Sequence, residues 1–337
     1  MCKTGEPLEP SALLKETDEK ETGKEPFTSP GSTGDPWLEV TAFDVFANWF
    51  LFPGPAYLLP TVALCFKHPP SAWNIVGFLA VTWLRAGVSM SIALHRFFAH
   101  DAFQCSRPMT FMVAVLACLA GQKGPLWWAA IHRRHHRYSD TEQDPHAAHV
   151  SGLLYAFTGW AYDLREMETD LQYVHKAHCL PEVFAVNKLW FVPTMVEWSL
   201  WYFFTGMQGV LYYGLLSTLA VVIVTFWFGV DFHLGEPHGR GPCRAADADF
   251  KKTIAILSLI CVLVAGVLNF LSGSLKFSLI FPMPLMYFAV GEHKHRHHHD
   301  QPRLVKRPGW DPAAQLFLPV MASLGVVSWR PEAWSRE

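Results

Sequence analysis

Charge is the first thing this sequence is short of. Only 17% of its 337 residues are Asp, Glu, Lys or Arg, against roughly 25% in an ordinary soluble domain. The 27 basic and 29 acidic side chains leave a formal charge of −2, so composition offers no basic field to nucleic acid. The seven cysteines, at positions 2, 65, 105, 118, 179, 243 and 261, form no CxxC pair. Several lie in apolar runs, where a free Cys is a small hydrophobe. That excludes a disulfide scaffold and predicts a reduced, intracellular-facing protein. Repeats at a fixed period are absent, and so is the HExxH of zinc proteases. What is abundant is apolar: 51% hydrophobic and 14% aromatic, with 14 Trp and 25 Phe. This leaves a membrane protein or a very large buried core.

Residues 1–36 are polar and poor in large side chains, and are expected to form a disordered tail. They carry neither a signal-peptide pattern nor the acid-poor composition of a transit peptide. Residues 37–337 form the folded domain. Residues 45–66 are charge-free for 22 positions, enough to span about 30 Å of hydrocarbon; Pro53, Pro55 and Pro60 would kink this span. Residues 71–94 are a second span, interrupted by Arg85, and 109–122 are too short for one. Further spans are expected at 189–207, which contains Glu197, at 210–230 and at 253–275, with a short return at 277–291. An intramembrane charge is expensive, so Arg85 and Glu197 are either functional or paired with one another. Lys and Arg concentrate in 95–188, 232–252 and beyond 291, while the opposite loops hold only Lys67 and Lys276. That asymmetry sets these three segments on the cytoplasmic side. The expected fold is an all-α integral membrane protein with four to six transmembrane helices under a cytoplasmic, His-rich cap.

Of 17 histidines, most fall in three clusters on that face. They are His95-Arg-Phe-Phe-Ala-His100, His132-Arg-Arg-His135-His136 and His295-Arg-His-His298-His299. On a helix at 100° per residue an HxxHH motif fans its three rings over about 100° of one face, so they can converge on one point. The five-residue step from His95 to His100 leaves that stripe unless the helix ends or bends. Together the motifs supply eight nitrogens, too many for one metal and enough for two. Imidazole suits Zn, Cu, Fe and Ni; an all-His, membrane-adjacent set fits two irons with positions open to O₂. His293 and His297 are read as solvated neighbours, and His68, His149, His175 and His178 as isolated histidines.

The motifs resemble those of the membrane fatty acid desaturases, in particular the acyl-CoA Δ9 (stearoyl-CoA type) branch. HRxxxH, HRxHHxxSxTxxDPH and GExxHxxHH are matched here by HRFFAH (95–100), HRRHHRYSDTEQDPH (132–146) and GEHKHRHHH (291–299). The resemblance covers roughly residues 50–330. It implies a non-haem di-iron centre that uses O₂ and two electrons to desaturate a fatty acyl-CoA or acyl-lipid. It also implies a separate electron donor, cytochrome b5 or a ferredoxin-type protein, since no HPGG haem motif is present. Arg133, Arg134 and Arg137 would offer the donor a basic docking face. The family carries NxxxH after the fourth span, its His the ninth ligand. This chain has Val230-Asp-Phe-His-Leu-Gly-Glu-Pro-His238 instead, with no Asn. His233 and His238 are both candidates, His233 nearer the span end, and Asp231 could replace the Asn. The charge-free spans and the Lys and Arg asymmetry predict a membrane protein with the boxes facing the cytoplasm, and the missing signal and transit features point to the endoplasmic reticulum of a eukaryote.

Carboxylates commonly orient metal-bound His by accepting the other ring N–H. Asp101, Asp140, Glu142, Asp144, Glu292 and Asp300 flank the boxes, Asp144 and Glu292 foremost. A methylene C–H has no acidic proton, so the substrate needs an apolar tunnel rather than an acid–base pair; Trp127, Trp128, Phe226 and Trp227 are candidates to line it. A hydroxylase or other lipid oxygenase could use the same site. A His-rich metal transporter would instead place ligands at the bilayer midplane, whereas here they lie at span ends.

Overall fold

Thr41 opens the first helix with a capping box: its hydroxyl accepts from the Asp44 amide, and the Asp44 carboxylate accepts from the Thr41 amide. This helix, α1 (Ala42–Phe50), is amphipathic and turns Phe43, Phe46, Trp49 and Phe50 outward. The computed structural model describes residues 37–54, 57–237, 242–247, 266, 269 and 289–335. The expected tail 1–36, His238 and nearly all of the expected return over 253–291 lie outside these residues.

The chain over 45–66 is not one kinked span. It divides into α1 and α2 (Leu58–Lys67), with Pro53 in the break between them. Proline lacks the N–H that would continue the helix. Ser71 then caps α3 (Ala72–Leu84) with a second capping box to Asn74. From Arg85 to Ala99 the same helix is wound as a π-helix. Residues 72–99 make a continuous run of 28 residues whose most apolar 18-residue stretch has mean hydropathy 1.6, long and apolar enough to cross a membrane.

Prolines start α4 (Arg107–Cys118), α5 (Pro125–Arg137) and α6 (Pro181–Lys188), where the missing N–H costs nothing. Between α5 and α6 the chain makes short helical turns over the histidine-bearing end of the π-helix. The second apolar run, Phe191–Asp231, has 41 residues, about twice the length one hydrocarbon core requires, and its most apolar 18-residue stretch has mean hydropathy 2.0. It is broken at Gly206 (φ 69°, ψ −159°), a conformation that favours glycine. The run thus consists of α7 (Phe191–Gly209), a π-helical stretch Val210–Leu216 and α8 (Ser217–Asp231). The two halves fold onto each other, with Trp201 and Tyr213 rings 5.1 Å apart. The outer face of α7 exposes Leu200, Phe203 and Phe204, the last two by 79% and 72%. An apolar surface of this kind marks a membrane or partner interface.

Arg85 and Glu197 pair with each other: Arg85 Nη2 lies 2.8 Å from Glu197 Oε1. The expensive charges of two apolar helices thereby neutralise one another. Beyond the π-helix, α9 (His295–Asp300) and α10 (Pro312–Ser323) close the histidine end. A two-stranded antiparallel ribbon, β1 (Gln104–Cys105) with β2 (Val327–Ser328), ties the C-terminal segment to the start of α4. The cysteines among the described residues are free.

Candidate metal centre

The π-winding explains the first histidine motif. A π-helix bonds i to i+5, and the His100 amide donates to the His95 carbonyl at 3.2 Å. A five-residue step therefore returns to the same side, and both imidazoles face inward. On α5, His132 and His136 are about 40° apart around the axis, while His135 stands about 60° to the other side of His132. The three rings of one HxxHH do not converge on one point, as spacing alone suggests; they divide.

Two groups result. His95, His100, His132, His136 and His298 bring one ring nitrogen each within 4.8 Å of one another, and His135, His233, His295 and His299 do the same. In the first, the Nε2 atoms of His95 and His298 stand 2.9 Å apart, those of His132 and His100 3.0 Å, and those of His298 and His136 2.9 Å. In the second, His233 and His295 are 3.0 Å apart and His299 and His295 3.2 Å. Each HxxHH sends its i,i+4 pair to one group and its third ring to the other. The groups touch where His136 and His299 stack with centroids 4.2 Å apart. His233 thus joins the second group, and His293 and His297 belong to neither.

Three of these rings have a carboxylate on Nδ1. Glu292 lies 3.1 Å from His95, Asp144 2.9 Å from His135 and Asp140 2.8 Å from His233. Such bonds leave Nε2 free to ligate. Glu292 is held by Ser91 and by the buried Arg307. Gly291 precedes it at φ 75°, where a Cβ would fall 2.3 Å from Asp311 Oδ1, so the Gly-Glu pair is a steric requirement here. Asp144 also accepts from the Asp140 amide at 2.8 Å, and Asp140 accepts from the Arg244 amide at 2.7 Å. Asp140 itself is at φ 63°. Asp231, expected beside the ninth ligand, is half-buried at the end of α8.

Burial, then mutual repulsion, pushes the pKa of His100, His132, His136, His295, His298 and His299 well below the ordinary histidine value. Neutral imidazole is the metal-binding form. His135 departs from this: burial opposes its charge, but Asp144 outweighs burial and raises its pKa. Burial likewise works to raise Glu292, and the adjoining Arg307 and His95 overcome it, holding the carboxyl well below its usual range.

A cavity opens from the histidines between the π-helix and α8. His95, His132, His135 and His295 form one end, and Ala86, Met90, Val221 and Phe226 continue it as an apolar wall. Trp128 and Phe226 line it as expected; Trp127 faces elsewhere and Trp227 is not on its wall. A polar chain crosses the wall: Trp128 Nε1 donates to Gln122 Oε1 at 3.0 Å and Gln122 Nε2 to Thr225 Oγ1 at 2.9 Å. Of the three arginines expected as a docking face, Arg134 is paired with Glu166 and Arg133 donates to the Ala99 carbonyl at 3.2 Å. Arg137 is the exposed one of the three and lies over the Tyr138 ring.

No family model matches the chain. It is 34% identical over 136 residues to hex-5-enoyl-[acyl-carrier protein] acetylenase of Moorena producens (strain JHB), 37% of this chain and 40% of that protein. It is 27% identical over 231 residues to acyl-CoA desaturase 1 of Saccharomyces cerevisiae, covering 64% of this chain and 43% of that protein. The chain is related to the fatty acid desaturases. The sn-1 stearoyl-lipid 9-desaturase of Anabaena variabilis is 32% identical over 102 residues, 29% of this chain and 37% of that one. The matched region spans less than half the length of each of these desaturase-type relatives. Its histidine groups, on this geometry, can hold metal.

Proposed function

We propose that this chain is an O₂-dependent fatty acyl desaturase with a non-haem di-iron centre, acting on an acyl-CoA or acyl-lipid. The observation that carries the reading is the division of nine buried or half-buried histidines into adjoining groups of five and four at the end of an apolar cavity. Imidazole suits iron, whereas four-coordinate zinc would be closed by the group of four and would keep no position open for O₂ there. His95, His100, His132, His136 and His298 would hold one iron; His135, His233, His295 and His299 would hold the other. The bound irons would supply the oxidising power, drawn from O₂, two electrons and two protons, that removes two hydrogens from a methylene pair and leaves two waters.

The chain's own residues supply the rest. Glu292, Asp144 and Asp140 fix the tautomers of His95, His135 and His233 by accepting from Nδ1. The wall of Ala86, Met90, Val221 and Phe226 holds the acyl chain and excludes water. Gln122, Trp128 and Thr225 satisfy one another's polar groups and so keep that wall closed. The electron donor, cytochrome b5 or a ferredoxin-type protein, would dock on the face bearing Arg137. The apolar runs 72–99 and 191–231 support an integral membrane protein, with the histidine end toward the cytoplasm and the endoplasmic reticulum as its site.

The test is expression in a desaturase-deficient yeast, with fatty-acid methyl esters profiled by gas chromatography–mass spectrometry beside a His135→Ala control. A new unsaturated acid absent from the control is expected. A hydroxylated product would replace desaturation by hydroxylation on the same centre. Neither product, with purified protein free of iron, would overturn the reading.

A further inference from the structure

Outside the nine-histidine centre, the fold brings together three residues that are far apart or unremarkable in the sequence. Asp101 follows His100 at φ 48°, and His175 and His178 lie in the turn leading to α6. One ligand atom from each falls within 4.8 Å of the others. His178 Nε2 stands 3.4 Å from Asp101 Oδ1, and His175 Nε2 3.6 Å from Asp101 Oδ2. The same molecule shows what hydrogen-bonded His–Asp pairs look like: 2.9 Å for His135–Asp144 and 2.8 Å for His233–Asp140. The wider separations match the edge of a coordination tetrahedron, about 3.4 Å for bonds of about 2.1 Å.

His178 is 2% exposed, its ring packed against Phe97 and Phe98 at 4.6 and 5.0 Å. Its Nδ1 has no hydrogen-bond partner among the described residues. Its Nε2 edge faces Asp101 and is the edge that would ligate. The His175 side chain is 36% exposed, which leaves an entry path and an open coordination position.

We propose that Asp101, His175 and His178 form an auxiliary site for a divalent cation of zinc type, distinct from the nine-histidine centre. Two imidazoles, one carboxylate and a water complete a tetrahedral set. The ion would staple the turn after His100 to the segment before α6, bracing one wall of the main centre.

The test uses the full chain purified in detergent, exposed to zinc chloride, desalted and analysed for metals by mass spectrometry. Wild type is expected to retain one zinc ion more per chain than His175→Ala, with equal iron in both, and to release it to a mild chelator. Equal zinc in the two proteins, or zinc gained in step with iron lost, would overturn the site. A second measurement needs no variant: zinc should slow carbethoxylation of His175 by diethyl pyrocarbonate, read by peptide mass mapping. An unchanged rate would also overturn it.

Discussion

His233 Nδ1 lies 2.8 Å from Asp140 Oδ2 while its Nε2 lies 3.0 Å from His295 Nε2. One ring is thus held at both ends, by a carboxylate from the turn after α5 and by the second histidine group. His233→Ala should remove one member of the group of four and lower iron toward one ion per chain, measured by elemental analysis. Asp140→Asn keeps the shape and removes the charge that fixes the tautomer; a loss of roughly 10–100-fold in activity or metal affinity is expected. Wild-type iron in His233→Ala would eliminate His233 as a ligand.

Much of this centre is legible in the sequence, because HxxHH spacing on a helix dictates which rings share a face. The eight motif histidines, with His233, bring their ring nitrogens into the two groups. The crosswise division is not legible, since it depends on how α5 and α9 face each other. Nor is the π-winding of residues 85–99, which no local residue pattern announces and which alone keeps His95 and His100 together. Asp231 is nearer His233 in sequence than Asp140 is, yet the turn at Asp140 carries its carboxylate to the ring. The apolar stretch 45–66 has the length of a span, but proline chemistry at Pro53 divides it. His175 and His178 look isolated because Asp101, their common neighbour, is distant in sequence.

Arg85 and Glu197 give a test of how the two long apolar helices are held together. Removing one partner of a buried ion pair leaves an uncompensated charge and costs about 3–5 kcal/mol, whereas replacing both with apolar groups of similar size is often neutral. Arg85→Met and Glu197→Leu should each lower the thermal unfolding midpoint in detergent, and the double variant should recover most of the loss. Additive losses in the double variant would mean that the pair contributes no mutual stabilisation.

The Gln122–Thr225 bond of 2.9 Å sits in the cavity wall between π-helix and α8. Thr225→Val keeps the volume and deletes the acceptor, leaving the Gln122 amide without this partner at a cost of about 1–3 kcal/mol. The wall then has a reason to rearrange, and the position or chain length of the product should spread over more than one species, read by gas chromatography–mass spectrometry. An unchanged product profile with unchanged turnover would assign the bond to packing alone.

Lys123 is a buried cation whose ammonium donates to the Ala161 carbonyl. Its ammonium lies 4.1 Å from the centroid of Trp127 and 5.4 Å from that of Phe52. Burial lowers its pKa from 10.5 to about 7, against the opposing charge of Glu166. Between about 7 and 10.5 the unfolded chain holds a proton that the folded chain has released. Stability therefore rises with pH through that window, and below it the full cost of the buried charge is present. Lys123→Met keeps the aliphatic stem between the two rings and inherits the same backbone at φ 64°, so strain is unchanged. The variant should be more stable than wild type at neutral pH by at least about 1 kcal/mol, and the gap should close as pH rises through the window. A cation–π contact is worth about 2 kcal/mol when desolvated, which works against the gain. Thermal unfolding of both proteins across the window decides the balance, and a less stable variant at neutral pH would mean that the rings and the bond to the Ala161 carbonyl, and not burial, govern this lysine.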